Sequence, residues 1–158
     1  MESGDVYGEV KKWLKGVLKD PVVSILLKYS SLTRTQFESI LIDFAAENLG
    51  INKIRFEDKA KMRIKEVSRG AFNRSLRQAR KNIISSIYTI LLLSYIGLFK
   101  GPPFEDYELL AKKLQEYAEL QKTYAEREEE NLKVLLKIER ELYNGIEKMA
   151  RPKRLKPM

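Results

Sequence analysis

The feature that most constrains this chain is one long helical pattern, from Ser68 to about Leu98, whose two halves have different surfaces. Ser68 is a residue type that caps helix starts, and Gly97 interrupts the pattern near its end. When successive residues are turned by about 100°, a narrow apolar stripe follows one side of the helix. We predict that this stripe faces the core; its members are Phe72, Leu76, Ala79, Ile83, Ile87 and Ile90.

The opposite side of the first turns is basic and rich in amides. Arg pairs with guanine and with phosphate, Asn and Gln pair with adenine, and one helix is narrow enough to enter the major groove of DNA. The pattern therefore predicts a DNA-reading surface on a helix that begins near Ser68. Its candidate residues are Arg69, Asn73, Arg74, Arg77, Gln78, Arg80 and Lys81.

Beyond Asn82 the same helix is apolar on every side, with Leu91, Leu92 and Tyr95 at directions that were basic before. Such a helix needs cover on both sides, from its own domain and from a second subunit or helix, or from lipid. Residues 83–99 would reach only about 25 Å as a helix, against about 30 Å of hydrocarbon in a bilayer. Together with the serines in this run, that length favours burial in protein over a membrane span.

The basic residues are concentrated in one part of the chain. Residues 51–82 contain 11 Lys plus Arg against 3 Asp plus Glu, a surplus equal to the net charge of +8 for the whole protein. Residues 101–150 have 8 against 12, and the tail adds four cations. This asymmetry favours a polyanionic partner, although a solvated basic face would give the same count.

The residue types that are missing exclude several function classes. The sequence has no Cys and no His, so it has no disulfide, no Cys or His metal ligand, no thiol nucleophile and no imidazole base. It also lacks a Gly-rich phosphate loop and a Ser-centred elbow. We therefore expect a protein that is not an enzyme and has no cofactor and no metal. Its abundance of Lys and Glu, together with the absence of Cys, suits a heat-adapted cytoplasmic protein.

Three helices are predicted before the basic region. Apolar residues at steps of three and four from Val6 to Leu18 indicate a helix that ends at Asp20, and a short helix follows from Pro21 to Tyr29. Thr33 and Gln36 have the spacing of a capping box, which predicts a third helix from Arg34. Its apolar positions are Phe37, Ile40, Leu41 and Phe44, and its stop signal is Asn48, Leu49 and Gly50.

The connector between the third helix and Ser68 is ambiguous. Lys53 to Phe56 alternate like a short strand, whereas Glu57 to Ile64 suit a short helix. We favour the helix. The whole chain is accordingly predicted to be all-α, with residues 1–100 as one domain.

Residues 104–150 are predicted to form one long helix, or two. Apolar residues follow the alternating three and four spacing of a heptad seam, and a helix of this length, about 70 Å, needs a partner to cover it. We expect this coiled-coil-like segment to pair two subunits, although it could instead fold back on the core. Glu126 and Glu128–Glu130 are interpreted as solvated charge, and residues 151–158 as a disordered basic tail. The predicted dimerisation residues are Tyr107, Leu110, Leu114, Tyr117, Leu135, Ile138 and Leu142.

Two stretches resemble a known family. Residues 32–37 (LTRTQF) and 67–72 (VSRGAF), with Gly97, Leu98 and Phe99 at the end, are similar to winged helix-turn-helix regulators of archaea and bacteria. The resemblance implies that the helix after Ser68 enters the major groove. It leaves open whether the supporting helix begins at Arg34 or lies at residues 57–64. The link at residues 51–67 is longer than in that family, and residues 100–105 are too short for a wing.

Our first interpretation is a homodimeric protein that binds double-stranded DNA, either a transcriptional regulator or a chromosome-associated factor. RNA is less favoured, because Tyr and Phe are not interleaved with the basic cluster as stacking platforms. The alternative is a non-enzymatic adaptor that acts through its C-terminal coiled coil. A membrane protein comes third.

Overall fold

The computed structural model describes residues 3–48, 54–98, 104–123 and 127–150, and within them the protein is all-helical with no strand. Contacts divide the chain into an N-terminal unit, residues 1–86, and a C-terminal unit, residues 87–158, with the boundary inside the fifth helix. The helices are α1 (Ser3–Lys19), α2 (Pro21–Tyr29), α3 (Arg34–Asn48), α4 (Phe56–Lys61), α5 (Arg69–Tyr95), α6 (Phe104–Thr123) and α7 (Glu128–Ala150).

Side-chain caps fix where three helices begin. The Asp20 carboxylate accepts hydrogen bonds from the backbone N–H groups of Val22 and Val23, which starts α2 directly after α1. The predicted capping box is present, because Thr33 Oγ1 accepts from Gln36 N at 3.2 Å and Gln36 Oε1 accepts from Thr33 N at 3.0 Å. Ser68 Oγ accepts from Ala71 N, so the predicted start of α5 is confirmed.

The core of the N-terminal unit forms where α1, α3, α4 and α5 meet. Leu14, Ile42, Met62 and Phe72 are fully buried there. The backbone turns sharply after α4 so that Met62 can enter this core, and Val67 packs against it before α5 begins. Burial and a hydrogen bond to Asp58 of α4 raise the pKa of Tyr7 on α1, which ties those two helices together.

Several residues that were predicted to lie in the core are exposed. Phe72, Leu76 and Ala79 of the α5 stripe are buried as predicted, but Ile83 and Ile87 are exposed. On α3, the predicted apolar face is wrong at Phe44, which is exposed. The side of α3 that faces the core instead carries Ile42, two alanines and three polar residues. Those inward residues are Glu38, Ser39, Ile42, Asp43, Ala45 and Ala46.

The second half of α5 is largely exposed. Leu91, Leu92 and Tyr95 all show more than half of their surface to solvent, and Gly97 ends the helix with a positive φ of 76°. Gly adopts this conformation without steric cost. In the described part of the chain, no helix combines the length and the apolar character that crossing a membrane requires.

The C-terminal unit contains a helical hairpin. The single helix allowed for residues 104–150 is not observed, because α6 ends at Thr123 and α7 begins at Glu128. Leu110 packs against Gly145, and the Tyr117 hydroxyl donates a hydrogen bond to Glu141, so the two helices run antiparallel. The heptad seam is therefore used within one chain: it covers Ile138 and Leu142, both buried.

Candidate nucleic-acid interface

The candidate interface lies on the first turns of α5. Arg74, Arg77 and Lys81 are spaced three and four residues apart, so their side chains share one face of the helix. That face is exposed, while Phe72, Leu76 and Ala79 on the opposite side are buried. Burial of the opposite side fixes the rotation of α5 about its axis and leaves the cations directed outward.

The three cations on this face have no carboxylate partner within the described residues. The ion pairs of the N-terminal unit involve other Lys and Arg residues, and neither Arg74, Arg77 nor Lys81 takes part in them. A cation without an internal partner keeps its full electrostatic attraction for an external anion. Arg74, Arg77 and Lys81 bring three such cations together on one face of one helix.

A shallow groove of about 660 Å³ runs beside this face. Its floor is apolar, with the buried Leu76 and the half-exposed Phe56, and its rim carries cations and amides. A groove of this composition can hold a polyanion by its phosphates while contacting an apolar group such as the thymine methyl. The lining residues are Phe56, Asn73, Leu76, Arg77, Arg80, Lys81, Ile84 and Ser85.

Arg80 differs from Arg77 and Lys81 because it is paired with a carboxylate of its own chain. Its guanidinium contacts the Asp43 carboxylate at 2.5 Å, and Lys59 contacts the other oxygen of Asp43 at 2.7 Å. Asp43 is largely buried, so this double ion pair joins α3, α4 and α5 around one carboxylate. Arg80 is thus held as a positioning residue of the surface, rather than as a free cation.

Arg69, at the start of α5, is also paired. Its guanidinium lies 2.8 Å from Glu57 of α4, and both side chains are well exposed. Exposed pairs of this kind contribute about 0–1 kcal/mol to stability, so a phosphate can displace the carboxylate at small cost. Arg69 and Arg80 thus differ in their partners, because the carboxylate of Glu57 is exposed and that of Asp43 is largely buried.

The amide side chains of α5 differ in their exposure and in their hydrogen-bond partners. Gln78 is exposed and donates a hydrogen bond from Nε2 to Asn82 Oδ1. Asn82 in turn donates to Ser31 O and to Gln36 Oε1, which links α5 to the start of α3. Asn73 is half-buried on the groove side. Gln78 and Asn73 thus lie on the candidate surface, while Asn82 joins helices.

Sequence reasoning missed Phe56, Lys59 and the role of Asp43. Phe56 opens α4 and reaches the groove from outside α5, and the Lys59 ammonium lies 5.4 Å from its ring centre. The signal for Asp43 was its place among apolar residues of α3, since a carboxylate at a core-facing helix position needs a cationic partner. Its partners are 16 and 37 residues away in sequence, so no local pattern identifies them.

The predicted dimerisation residues fall in the C-terminal unit, and the structure places most of them in the intrachain hairpin. Leu110, Leu114 and Tyr117 are half-buried on α6, and Leu135 is half-buried on α7 beside the buried Ile138 and Leu142. The side chain of Tyr107 and the basic tail at residues 151–158 lie outside the described residues. Metal-ligand clusters are absent from the residues that the structure describes.

Comparisons with known proteins assign no family. No model of a protein family matches the chain, and neither a curated protein nor a solved structure is similar enough to count as a match.

Proposed function

We propose that this protein binds double-stranded DNA through the first turns of α5. The observation that carries the proposal is the exposed face of Arg74, Arg77 and Lys81, which has no internal carboxylate partner in the described chain and lies opposite a buried apolar stripe. A rigid helix with outward cations matches the shape of the major groove and the charge of its two phosphate walls.

The residues of this surface have separate roles in the proposal. Arg74, Arg77 and Lys81 supply affinity by neutralising phosphates, and Arg69 joins them after leaving Glu57. Gln78 and Asn73 contact base edges, because an amide can donate one hydrogen bond to adenine and accept another from it. Arg80 holds α5 against Asp43 and so sets the angle at which the other side chains are presented.

The biological role that fits is a transcriptional regulator or a chromosome-associated factor that acts as a homodimer in the cytoplasm. Two copies of the α5 surface would contact DNA about 34 Å apart, one helical turn of the duplex. The resemblance of residues 32–37 and 67–72 to winged helix-turn-helix regulators supports the same role. No cofactor and no catalytic residue is part of the proposal.

The test is a titration of short random-sequence duplex DNA at two salt concentrations. We expect affinity to fall steeply between about 50 and about 200 mM salt, because phosphate neutralisation releases counterions. Replacing Arg74, Arg77 and Lys81 together with Ala should lower the slope of log affinity against log salt by about 3. On a specific site, Arg77→Ala alone should cost about 1–3 kcal/mol.

A matched control removes cations elsewhere in the same unit. Lys12 and Lys15 are exposed on α1, away from the groove, so their double Ala variant loses charge without touching the proposed surface. This control should bind DNA with nearly the wild-type salt slope. Equal loss in the control and in the triple variant would reduce the proposal to nonspecific attraction by net charge, and unchanged binding in the triple variant would refute it.

The second candidate function is an adaptor that binds another protein. Leu91, Leu92 and Tyr95 favour it, because they form an exposed apolar stretch on α5 that the described part of the protein does not cover. If the protein acts only as an adaptor, we expect it to bind no duplex DNA at any salt concentration. The same titration therefore distinguishes the two candidates.

A further inference from the structure

A network of amide groups connects the start of α3 to the candidate surface of α5. Asn82 Nδ2 donates a hydrogen bond to the backbone oxygen of Ser31 at 2.9 Å and another to Gln36 Oε1 at 3.2 Å. Gln78, one turn before Asn82 on α5, donates from Nε2 to Asn82 Oδ1 at 2.9 Å. Gln78 has a role in the proposed function, whereas Asn82 has none there.

Two backbone groups determine the direction of every hydrogen bond in this network. A carbonyl oxygen only accepts, so the Asn82 atom beside Ser31 O has to be Nδ2. The backbone N–H of Thr33 only donates, so the Gln36 atom at 3.0 Å from it has to be Oε1, and this oxygen again requires Nδ2 from Asn82. Asn82 therefore presents Oδ1 to Gln78, which has to donate to it from Nε2.

The carbonyl oxygen of Gln78 is the part of its amide that remains for an external partner. Gln78 is exposed, and within the described residues its Oε1 accepts no hydrogen bond. The other end of the network is held firmly, because the Ser31 hydroxyl lies 3.2 Å from that of Ser86, which in turn donates to Asn82 O. The turn before α3 and the middle of α5 are thus joined at two points.

We infer that Asn82 is a positioning residue for base recognition, because it leaves the Gln78 carbonyl oxygen to accept from the amino group of a base. The inference rests on the proposed function, in which α5 enters the major groove. In that groove adenine and cytosine present amino groups, whereas guanine presents only acceptors. Nε2 uses one of its hydrogens on Asn82, and the second remains for adenine N7, so adenine is the expected base.

Guanine is rejected by the same arrangement. A glutamine without an anchor can rotate its amide and donate to guanine O6 or N7. The anchored Gln78 would have to give up its bond to Asn82 before it could do so with the same hydrogen, and its carbonyl oxygen would meet an acceptor. An amide that is already ordered also loses less conformational freedom when DNA binds.

A purely structural role for Asn82 can be separated from this one, because its two roles use different atoms. The tie to Ser31 needs the donor Nδ2, whereas the orientation of Gln78 needs the acceptor Oδ1. Asn82→Asp keeps an acceptor beside Gln78 and loses the donor, and Asn82→Ala loses both. A structural role predicts that the two variants behave alike, and a positioning role predicts that they differ.

The experiment enriches random-sequence duplex DNA on the full-length protein. The base whose preference disappears with Gln78→Ala is the one that Gln78 contacts. There the wild type and Asn82→Asp should favour adenine over guanine by about tenfold, and Asn82→Ala by about twofold or less. The charge added by Asn82→Asp lowers affinity for every duplex, so the ratio between two bases is the readout.

A rescue variant tests the same point from the other side. A carboxylate presents acceptor oxygens in either orientation and needs no anchor. Gln78→Glu combined with Asn82→Ala should therefore reject guanine by about tenfold again. Each variant should keep the helical circular dichroism of the wild type, since Gln78 is exposed and Asn82 is only half-buried.

A measurement without DNA keeps this inference separate from the proposed function. By ¹⁵N NMR of the free protein, the side-chain amide hydrogens of Gln78 should exchange with solvent a few-fold more slowly in the wild type and in Asn82→Asp than in Asn82→Ala. Equal exchange in all three would overturn the inference, as would an adenine-to-guanine ratio that Asn82→Ala leaves unchanged or that both Asn82 variants reduce alike. Absence of duplex binding by the wild type would overturn the proposed function, and base recognition by Gln78 with it.

Discussion

The two units of this protein hold their helices together by different means. In the N-terminal unit, buried carboxylates pair with cations from distant parts of the chain, as Glu38 does with Arg63 and Asp43 does with Arg80. In the C-terminal unit, ion pairs such as Glu108–Lys112 and Glu119–Lys122 lie exposed along one helix, and apolar periodicity joins the helices. Ion pairs of fixed geometry thus orient the surface of the N-terminal unit, whereas apolar packing assembles the hairpin of the C-terminal unit.

This difference has a consequence for function. Apolar packing alone allows a helix to slide or rotate by small amounts, whereas a carboxylate that accepts from two cations fixes direction as well as distance. The double pair at Asp43 holds Arg80 beside the cations of α5, where, in the proposed function, direction decides whether a side chain reaches a phosphate. The C-terminal hairpin has no such requirement in the proposed function.

The largest effect is expected in the N-terminal core. Phe72→Ala removes a fully buried ring and should lower the free energy of unfolding by about 3–5 kcal/mol, because the surrounding helices cannot collapse into the space. Urea unfolding followed by the fluorescence of Trp13, the one tryptophan, measures it. Phe44→Ala is the control, since that ring is already exposed and should change stability by about 0.5 kcal/mol or less.

Breaking a buried charge pair is expected to come next. Glu38 accepts from Arg63 at 2.9 Å and from the backbone N–H of Ile64 at 2.6 Å, which holds the turn after α4. Glu38→Gln keeps the shape but leaves the Arg63 charge buried without a counter-charge, so we expect a loss of about 3 kcal/mol, measured by urea unfolding. The Nε of Arg63 already has no hydrogen-bond partner in the described chain.

Two further variants sharpen this result. Combining Glu38→Leu with Arg63→Met should recover much of the stability, since two apolar groups leave no unpaired charge. Glu57→Gln breaks the exposed pair with Arg69 and should cost about 1 kcal/mol or less. If Glu38→Gln and Glu57→Gln lower the free energy of unfolding equally, the buried ion pair would be worth no more than an exposed one, and the contrast between the two units would fail.

In the C-terminal unit, a hydrogen bond between side chains of α6 and α7 helps to join the two helices. The Tyr117 hydroxyl donates to Glu141, and this hydrogen bond, followed by burial, raises the pKa of Tyr117 from 10.0 to about 12. Tyr117→Phe should therefore cost about 1 kcal/mol at neutral pH, less than Glu38→Gln, because the site is only half-buried.

The pH dependence of this contact has a definite sign. Below pH 10 the phenol is neutral in both the folded and the unfolded chain, so the contact contributes fully. Between pH 10 and about 12 only the unfolded chain ionises, and the contribution is lost. The stability difference between wild type and Tyr117→Phe, from urea unfolding in buffers across that window, should shrink as the pH rises. A difference that grows with pH would contradict the assignment.

The sequence predicted what is local and periodic. The start of α3, the bounds of α2 and the start of α5 follow from Thr33, Pro21 and Ser68, because caps act on backbone within a few residues. The buried side of α5 at Phe72 and Leu76 followed from spacing.

Non-local partners could not be predicted in the same way. The heptad seam showed that residues 104–150 would pack along one side, yet the same seam suits two subunits or one hairpin. The contacts between α6 and α7 show the hairpin, and no Pro or Gly lies between Thr123 and Glu128 to predict it. On the candidate surface, the sequence supplied the cations, but only the fold separates the paired Arg80 from the unpaired Arg77.

The smallest expected effect tests a contact that the sequence did predict. Thr33→Ala removes the hydroxyl that accepts from Gln36 N and should cost about 1 kcal/mol, the usual value for an N-cap, measured by urea unfolding. Thr33→Ser keeps the hydroxyl and should cost less. Gln36 also accepts from Asn82 of α5, so the cap touches the candidate surface through one further bond. Thr33→Ala could instead destabilise the protein as much as Glu38→Gln does. In that case the cap would also stabilise contacts between helices, and local and non-local contacts would not be separable in the N-terminal unit.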